Sequence, residues 1–238
     1  YIMNFIARVK SLLFHNISTR QTVAKNSFWL AVSNVGGRLT RAIIIIYAAR
    51  VLGPAEWGIF SYAASLIAFI AVFTDIGISP VFVRETAKAQ GDSARARAIL
   101  STSFYLKAIL LILGVFAILF IAPYFTSIKG GVVEQVILIT IFIFAFDTVR
   151  EFGFSLVRAI EKMEWEAGLY LATNVAIVAT GFISLYLSRS VVAFTMAYAI
   201  GTGVGMIATV WALRKKISGV FSNFSFKLTR YILESTWP

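Results

Sequence analysis

The first long apolar segment of the chain reads Asn34-Val-Gly-Gly-Arg38-Leu-Thr-Arg41 and continues at once as Ala42-Ile-Ile-Ile-Ile-Tyr47. An apolar stretch of this kind predicts a helix that crosses a membrane. On such a helix Arg38 and Arg41 share one face near the middle of the span, because they are three residues apart. A guanidinium group at that depth is costly to hold. We therefore expect both arginines to face a water-filled cavity or the interior of a helix bundle.

The rest of the chain is similarly apolar. Hydrophobic residues make up 59% and charged residues 14% of the 238 positions, which is far from the composition of a soluble domain. Apolar stretches long enough for a helical span recur, with polar residues between them. The alternating short strands of an outer-membrane barrel do not fit this pattern. We predict an all-α integral membrane protein with several spans.

Polar breaks divide the chain into three regions. Residues 1–24 are predicted to form an amphipathic segment on the cytoplasmic face, 25–214 a six-helix transmembrane lobe, and 215–238 an amphipathic connector. Gly53 and Pro54 separate the first two spans, since this pair cannot continue a helix. The six spans are predicted at about 27–51, 57–78, 101–122, 132–156, 168–187 and 191–213.

The formal charge of +11 is explained by where the 22 basic residues lie. If the N-terminus is cytoplasmic, three of them fall on the outer side and three lie inside spans, and all the others are on the inner side. The outer ones are Arg50, Lys129 and Arg189, and those within spans are Arg38, Arg41 and Lys107. This bias is the positive-inside pattern of a multi-span protein, with both termini of this chain cytoplasmic. Nucleic-acid binding has no separate support.

The residue inventory argues against enzyme chemistry. The chain has no cysteine and one histidine, which excludes a disulfide framework or thiolate metal site and disfavours a histidine metal centre. His15 has no evident partners for a catalytic triad. A membrane-embedded glycosyl transferase, polymerase or ligase typically carries acids or a histidine on sizeable outer loops, and the outer loops here are short. We predict no enzyme activity, no metal and no cofactor.

Asp75 and Arg84 flank the predicted inner end of the second span. One interpretation is structural: they pair with each other, or satisfy backbone groups that are exposed where Gly77 and Pro80 interrupt the helix. The other is an inner gate, whose ion pairs form and break as a cavity opens to the cytoplasm. The sequence leaves both open.

The fourth span carries Asp147, Arg150 and Glu151, which share one helix face by their spacing and can neutralise one another. Alternatively, Asp147 is deep enough to serve as a coupling site for a proton or sodium ion. Lys107, at a similar depth on the third span, either pairs with an acid or extends toward the inner headgroups. We expect the second of these.

Small and amide residues mark contacts between the later spans. Gly201 and Gly205 are four residues apart and predict a face for close helix packing. Asn174 is expected to form a hydrogen bond between helices, or to line the cavity. Together with Arg38 and Arg41, Asn34 and Asn174 are our candidate substrate-cavity residues.

The sequence around the first break also carries a family resemblance. Ala49-Arg-Val-Leu-Gly53-Pro-Ala-Glu-Trp57-Gly-Ile-Phe-Ser-Tyr62, with Asp75-Ile-Gly77 and Val83-Arg-Glu85, resembles the N-terminal region of Wzx-like bacterial polysaccharide flippases. These belong to the multidrug/oligosaccharidyl-lipid/polysaccharide exporter superfamily. The similarity extends over about residues 20–238. Since family members contain two six-helix bundles, the resemblance implies an N-terminal lobe that ends before a seventh span, with a C-terminal lobe as its missing partner.

The resemblance implies a function as well. Relatives move undecaprenyl-pyrophosphate-linked oligosaccharides to the outer leaflet of the bacterial or archaeal cytoplasmic membrane by alternating access. Their other partners are membrane lipids, and this movement can be coupled to protons or sodium ions. Arg38 and Arg41 would then face a pyrophosphate or an acidic sugar, which guanidinium groups bind well. Pairing with acids of the missing lobe, or with Asp75 or Asp147, is the alternative. A drug or lipid II exporter and a non-transporting scaffold are the other functions left open.

Overall fold

The computed structural model describes residues 19–89, 91–125, 131–217, 219–221 and 224–236, which form helices joined by short turns. Residues 1–18 of the predicted amphipathic segment 1–24 lie outside this part of the chain, and residues 19–24 belong to the first helix. The helices are α1 (Thr19–Asp75), α2 (Ile78–Lys88), α3 (Ser93–Phe125), α4 (Val132–Ala159), α5 (Met163–Leu187), α6 (Val191–Ile217) and α7 (Phe226–Thr236).

Five of these helices, α1 and α3 to α6, are long and apolar enough to cross a membrane. The bilayer core offers no water to the backbone N–H and C=O groups. A helix pairs these groups internally, so an apolar segment in the bilayer adopts this structure. No strand occurs among the residues that the structure describes. The protein is therefore an all-α, multi-pass membrane protein, as predicted.

Two separate helices were expected on either side of residues 52–56, and the structure confirms a break there, although the break is narrower than expected. Helix α1 runs through the region with a single non-helical residue, Gly53, at φ 74° and ψ 174°. Only glycine adopts such a positive φ without strain. Pro54 can begin the following helical segment, where a missing backbone N–H costs little. The break is thus one residue wide, and it divides α1 into a first arm, 19–52, and a second arm, 54–75.

The two arms of α1 lie against each other. Ile44 and Ala48 from the first arm share a buried cluster with Phe60 and Ala63 from the second. Arg41 and Asp75 also line one cavity, although a straight helix would place them roughly 50 Å apart. The chain therefore reverses direction at Gly53.

The predicted small-residue face of α6 is confirmed. A Cβ atom at Gly201 would lie 2.6 Å from the Ile177 Cα atom, and one at Gly205 would lie 2.2 Å from the Thr173 hydroxyl oxygen. Both partners belong to α5. The two glycines thus allow the α5 and α6 backbones to approach more closely than side chains would permit.

The predicted connector contains a docked helix, α7. Its Ile232 is buried with Ile78, Val81 and Leu106 of α2 and α3. Phe226 on the same helix is exposed. Helix α6 extends past the predicted end of the sixth span at 213 and reaches Ile217 with its basic residues in the last turn, where positive charge interacts favourably with the helix dipole.

Candidate functional site

A cavity of about 500 Å³ lies between the two arms of α1 and helices α3, α4 and α6. Much of its lining is apolar or aromatic, as in Ile67 and Phe144. Charged side chains in such surroundings need partners, because burying an isolated charge is costly. Six of them line the cavity: Arg41, Asp75, Lys107, Asp147, Arg150 and Glu151.

Asp75 lies where α1 ends and α2 begins. Ile76 and Gly77 turn the chain with φ of 37° and 76°. Ser79 in the first turn of α2 donates to the Asp75 carboxylate from its hydroxyl at 2.7 Å and from its backbone N–H at 3.4 Å. Asp75 therefore accepts one backbone N–H from the first turn of α2, which agrees with the expectation that it satisfies backbone groups exposed at the interruption.

The cation that contacts Asp75 is Lys107 of α3, whose ammonium donates to the Asp75 carboxylate. The expectation that Lys107 extends to the headgroups is wrong, since its side chain is buried. An acid within reach satisfies the ammonium where it lies, so the side chain need not leave the bundle. The alternative pairing of Asp75 with Arg84 is not found either, because Arg84 contacts Glu85 at 3.2 Å.

Asp147 and Arg150 form the neutralising pair that their spacing predicts, with 2.7 Å between Oδ1 and Nη2. Arg150 is only 6% exposed. Its guanidinium carbon lies 5.7 Å from the centre of the Phe154 ring and 6.0 Å from that of Tyr170. These rings and one carboxylate surround the charge in the bundle interior.

Glu151 does not join this pair, so the neutralising cluster of three residues, one of the two interpretations left open, is formed only in part. It contacts Arg158 at 3.1 Å, two turns further along α4. Arg158 also makes a two-pronged contact with Glu166 of α5, at 2.9 and 2.5 Å. This geometry is the strongest that an arginine and a carboxylate adopt. The Glu151 carboxylate therefore contacts Arg158, near the connection between α4 and α5, and not the Asp147–Arg150 pair.

Arg41 is held differently from the other cavity cations. Its Nε donates to the side-chain oxygen of Asn174 on α5 at 2.9 Å. Its guanidinium carbon lies 5.8 Å from the centre of the Tyr198 ring. Among the described residues, no carboxylate lies within ion-pair distance of Arg41. Arg41 therefore presents a positive charge to the cavity with only neutral partners.

A family model for polysaccharide biosynthesis proteins matches residues 23–238. The chain belongs to the polysaccharide biosynthesis protein family. This is the family of the Wzx-like flippases in the exporter superfamily, so the resemblance noted above is confirmed. Its members are transporters rather than enzymes. No curated protein and no solved structure matches the chain significantly.

Two of the four predicted cavity residues of this family member are brought together by the fold, and two are not. Arg41 lines the cavity, with Asn174 fully buried behind it. Arg38 and Asn34 are exposed and do not line this cavity. The Asn34 amide donates to the Leu30 carbonyl of its own helix at 2.9 Å. A substrate role for each of the four stays a prediction.

Sequence reasoning missed Tyr198, whose ring faces Arg41 across the bundle. A tyrosine within an apolar span gives a weak signal, because its ring fits the span and only its hydroxyl is polar. The pairing of Lys107 was missed for another reason. Its acid lies on a different helix, and single-helix spacing cannot show which side chains meet between helices.

Glu85 forms a second charged cluster on α2, outside the spans and the cavity. Arg84, Lys88 and Arg95 lie 3.1 to 3.7 Å from its buried carboxylate. The Tyr231 hydroxyl of α7 donates to it at 3.4 Å. Burial raises the pKa of Glu85, but hydrogen bonds and charges from Lys88 and Arg84 outweigh this effect and hold the pKa below its ordinary value. The ionised carboxylate thus links α2, α3 and α7.

The charged residues that the structure describes are not arranged as a metal centre. Within the described ranges, no group of three His, Asp or Glu side chains is close enough to hold a metal ion. The acids of the cavity instead lie beside lysine or arginine.

Proposed function

We propose that this chain is the N-terminal lobe of a flippase for undecaprenyl-pyrophosphate-linked oligosaccharides in surface polysaccharide biosynthesis. It would act in the bacterial or archaeal cytoplasmic membrane together with a C-terminal lobe. The observation that carries the proposal is Arg41, a cation on the cavity wall of a membrane bundle whose described partners are neutral. Membership of the polysaccharide biosynthesis family supports a substrate from polysaccharide synthesis.

The proposed topology has six crossings. The first arm of α1 is about 51 Å long and the second about 33 Å, so each is long enough for a bilayer core of about 30 Å. Helices α3 to α6 supply the other four crossings. With the positive-inside bias, six crossings would put both ends of the described chain on the cytoplasmic side.

The cavity charges suggest how transport proceeds without covalent chemistry. Arg41 would bind the pyrophosphate oxygens, which favour guanidinium donors in a site of low dielectric constant. The two lobes would rock about this site and expose it to each side in turn. Lys107 and Asp75 would form an inner gate, and Asp147 beside Arg150 would couple the movement to a proton or sodium ion.

The test is glycan export by the natural protein that carries this chain, in cells that lack their own flippase. Arg41→Ala should lower export about tenfold or more, since it removes a charged hydrogen-bonding partner of the substrate. Arg41→Lys should retain part of the activity. Arg50→Ala is the matched control, because Arg50 is exposed and lies outside the cavity.

Membrane levels of each variant must be equal for the comparison to hold. Arg38→Ala distinguishes the role of Arg38 from that of Arg41. It should lower export less than Arg41→Ala, because Arg38 is exposed and does not line the cavity. Normal export by both Arg41→Ala and Arg38→Ala would refute the cavity role and favour a scaffold. Reconstituted transport of lipid II or a drug, but not of the lipid-linked oligosaccharide, would move the protein to another branch of the superfamily.

A further inference from the structure

The side chain of Asn174 has a fixed orientation behind Arg41. Its amide nitrogen donates to the Tyr170 carbonyl of the preceding turn at 2.7 Å. Its oxygen is thereby left to accept from the Arg41 Nε at 2.9 Å. Because Asn174 has no exposed surface, water does not compete for either bond.

Gly37 in the first arm of α1 leaves the space that this contact needs. A Cβ atom at Gly37 would lie 2.1 Å from the Tyr170 ring and 2.9 Å from the Asn174 nitrogen. A side chain at position 37 would therefore displace both residues of α5. Gly37 lets the helices approach closely enough for Asn174 to reach Arg41, which is one turn further along α1.

We infer that Asn174 is a positioning residue, which holds the Arg41 guanidinium at the cavity with a neutral acceptor so that its charge stays available for an anionic group of the substrate. The inference rests on the proposed function. The other cavity cations show the contrast, since Lys107 contacts Asp75 and Arg150 contacts Asp147. A carboxylate at position 174 would hold the same nitrogen but would cancel the charge.

The ligand class follows from this charge. An arginine held through Nε by a neutral amide favours an oxyanion such as a diphosphate, and it disfavours a cationic substrate. The amide differs from a carboxylate in charge and in donor capacity but hardly in shape. Asn174→Asp therefore tests the charge at Arg41 with little change in packing volume.

The experiment measures binding of inorganic pyrophosphate to the purified natural protein by calorimetry, and the half-saturating concentration of lipid-linked oligosaccharide in reconstituted transport. Asn174→Asp should weaken both about ten- to hundredfold. Gln135→Glu makes the same chemical change at an exposed residue outside the cavity, and should leave both unchanged. In an Arg41→Ala background, Asn174→Asp should cause no further loss, because the charge it cancels is gone.

Two further variants keep the inference testable if Asn174→Asp does not fold. Asn174→Thr retains a neutral acceptor and should bind pyrophosphate within about threefold of the wild type, whereas Asn174→Leu, without an acceptor, should bind about tenfold more weakly. Equal affinities of the Thr and Leu variants would overturn the inference.

The outcomes separate this inference from the proposed function. If Arg41→Ala weakens binding and Asn174→Asp binds like the wild type, Asn174 has only a packing role and the flippase proposal stands. If Arg41→Ala itself leaves pyrophosphate affinity and transport unchanged, both the anion site and the positioning role are overturned.

Discussion

At the scale of single residues, the cavity holds its charges with two kinds of partner. Lys107 and Arg150 lie beside the carboxylates of Asp75 and Asp147, while Arg41 is held by an amide. Losing one member of a buried ion pair leaves an uncompensated charge, which is strongly destabilising. The paired residues should therefore affect stability when they are mutated, and Arg41 should affect mainly binding.

Asp147→Asn tests this distinction. It removes the carboxylate that lies beside the buried Arg150 and should lower the free energy of unfolding by roughly 1–3 kcal/mol, less than for a fully buried pair because Asp147 is partly exposed. Arg150→Met in the same background should recover part of this loss, since it removes the orphaned charge. Thermal unfolding of the purified protein measures both effects, and additive losses would contradict the explanation.

The same variant tests ion coupling. If Asp147 exchanges a proton or sodium ion during transport, Asp147→Asn should slow transport that is driven by the corresponding gradient. Reconstituted vesicles with and without the gradient provide the measurement. An unchanged gradient dependence would restrict Asp147 to its structural pairing with Arg150.

At the scale of helices, the bundle depends on places where side chains are absent. The most demanding is Gly201, because a Cβ atom there meets the backbone of Ile177 and a main chain cannot move aside as a side chain can. Gly168 on α5 offers a contrast, since nothing lies within 4 Å of a Cβ atom at that position. Both glycines belong to the packed α5–α6 pair, but of these two only Gly201 is needed for the helices to approach closely.

Gly201→Ala should therefore lower the free energy of unfolding by about 1–3 kcal/mol through overpacking between α5 and α6. Gly168→Ala is the matched control and should leave stability unchanged or raise it by up to about 1 kcal/mol, because alanine has the higher helix propensity. Denaturation of both variants in the same detergent measures the difference. Equal stability would show that α5 and α6 separate at low cost.

At the scale of the whole molecule, the reversal of α1 at Gly53 decides how many times the chain crosses the membrane. If both arms span it, Lys25 and Lys216 lie on the same side. If α1 crossed only once, every later helix would be inverted and these two residues would lie on opposite sides. The topology therefore rests on the backbone conformation of one glycine.

Single cysteines test the topology cleanly, since the chain has no cysteine of its own. Cysteine substitutions at Arg50 and Arg189 should react with a membrane-impermeant maleimide from outside intact cells. Substitutions at Arg97 and Lys216 should react only after permeabilisation. Labelling of the Lys216 variant in intact cells would contradict six crossings.

Much of the fold was predictable, because local physics determines it. An apolar chain without water must satisfy its backbone groups internally, so the apolar stretches predict helices. Helical spacing alone brings Asp147 to Arg150, and Gly201 and Gly205 to one face. Glycine and proline chemistry predicted that the first long helix breaks at Gly53, but it did not predict that the break is only one residue wide.

The sequence by itself determined that this protein is a helical membrane protein with charged groups inside its spans. Only the tertiary structure decided which of those groups meet. Arg41 and Asn174 are 133 residues apart, and Lys107 and Asp75 are 32 apart. The rotation of each helix against its neighbours decides such contacts, and close packing at residues such as Gly37 and Gly201 determines that rotation. The spacing of residues along one helix carries no information about that rotation.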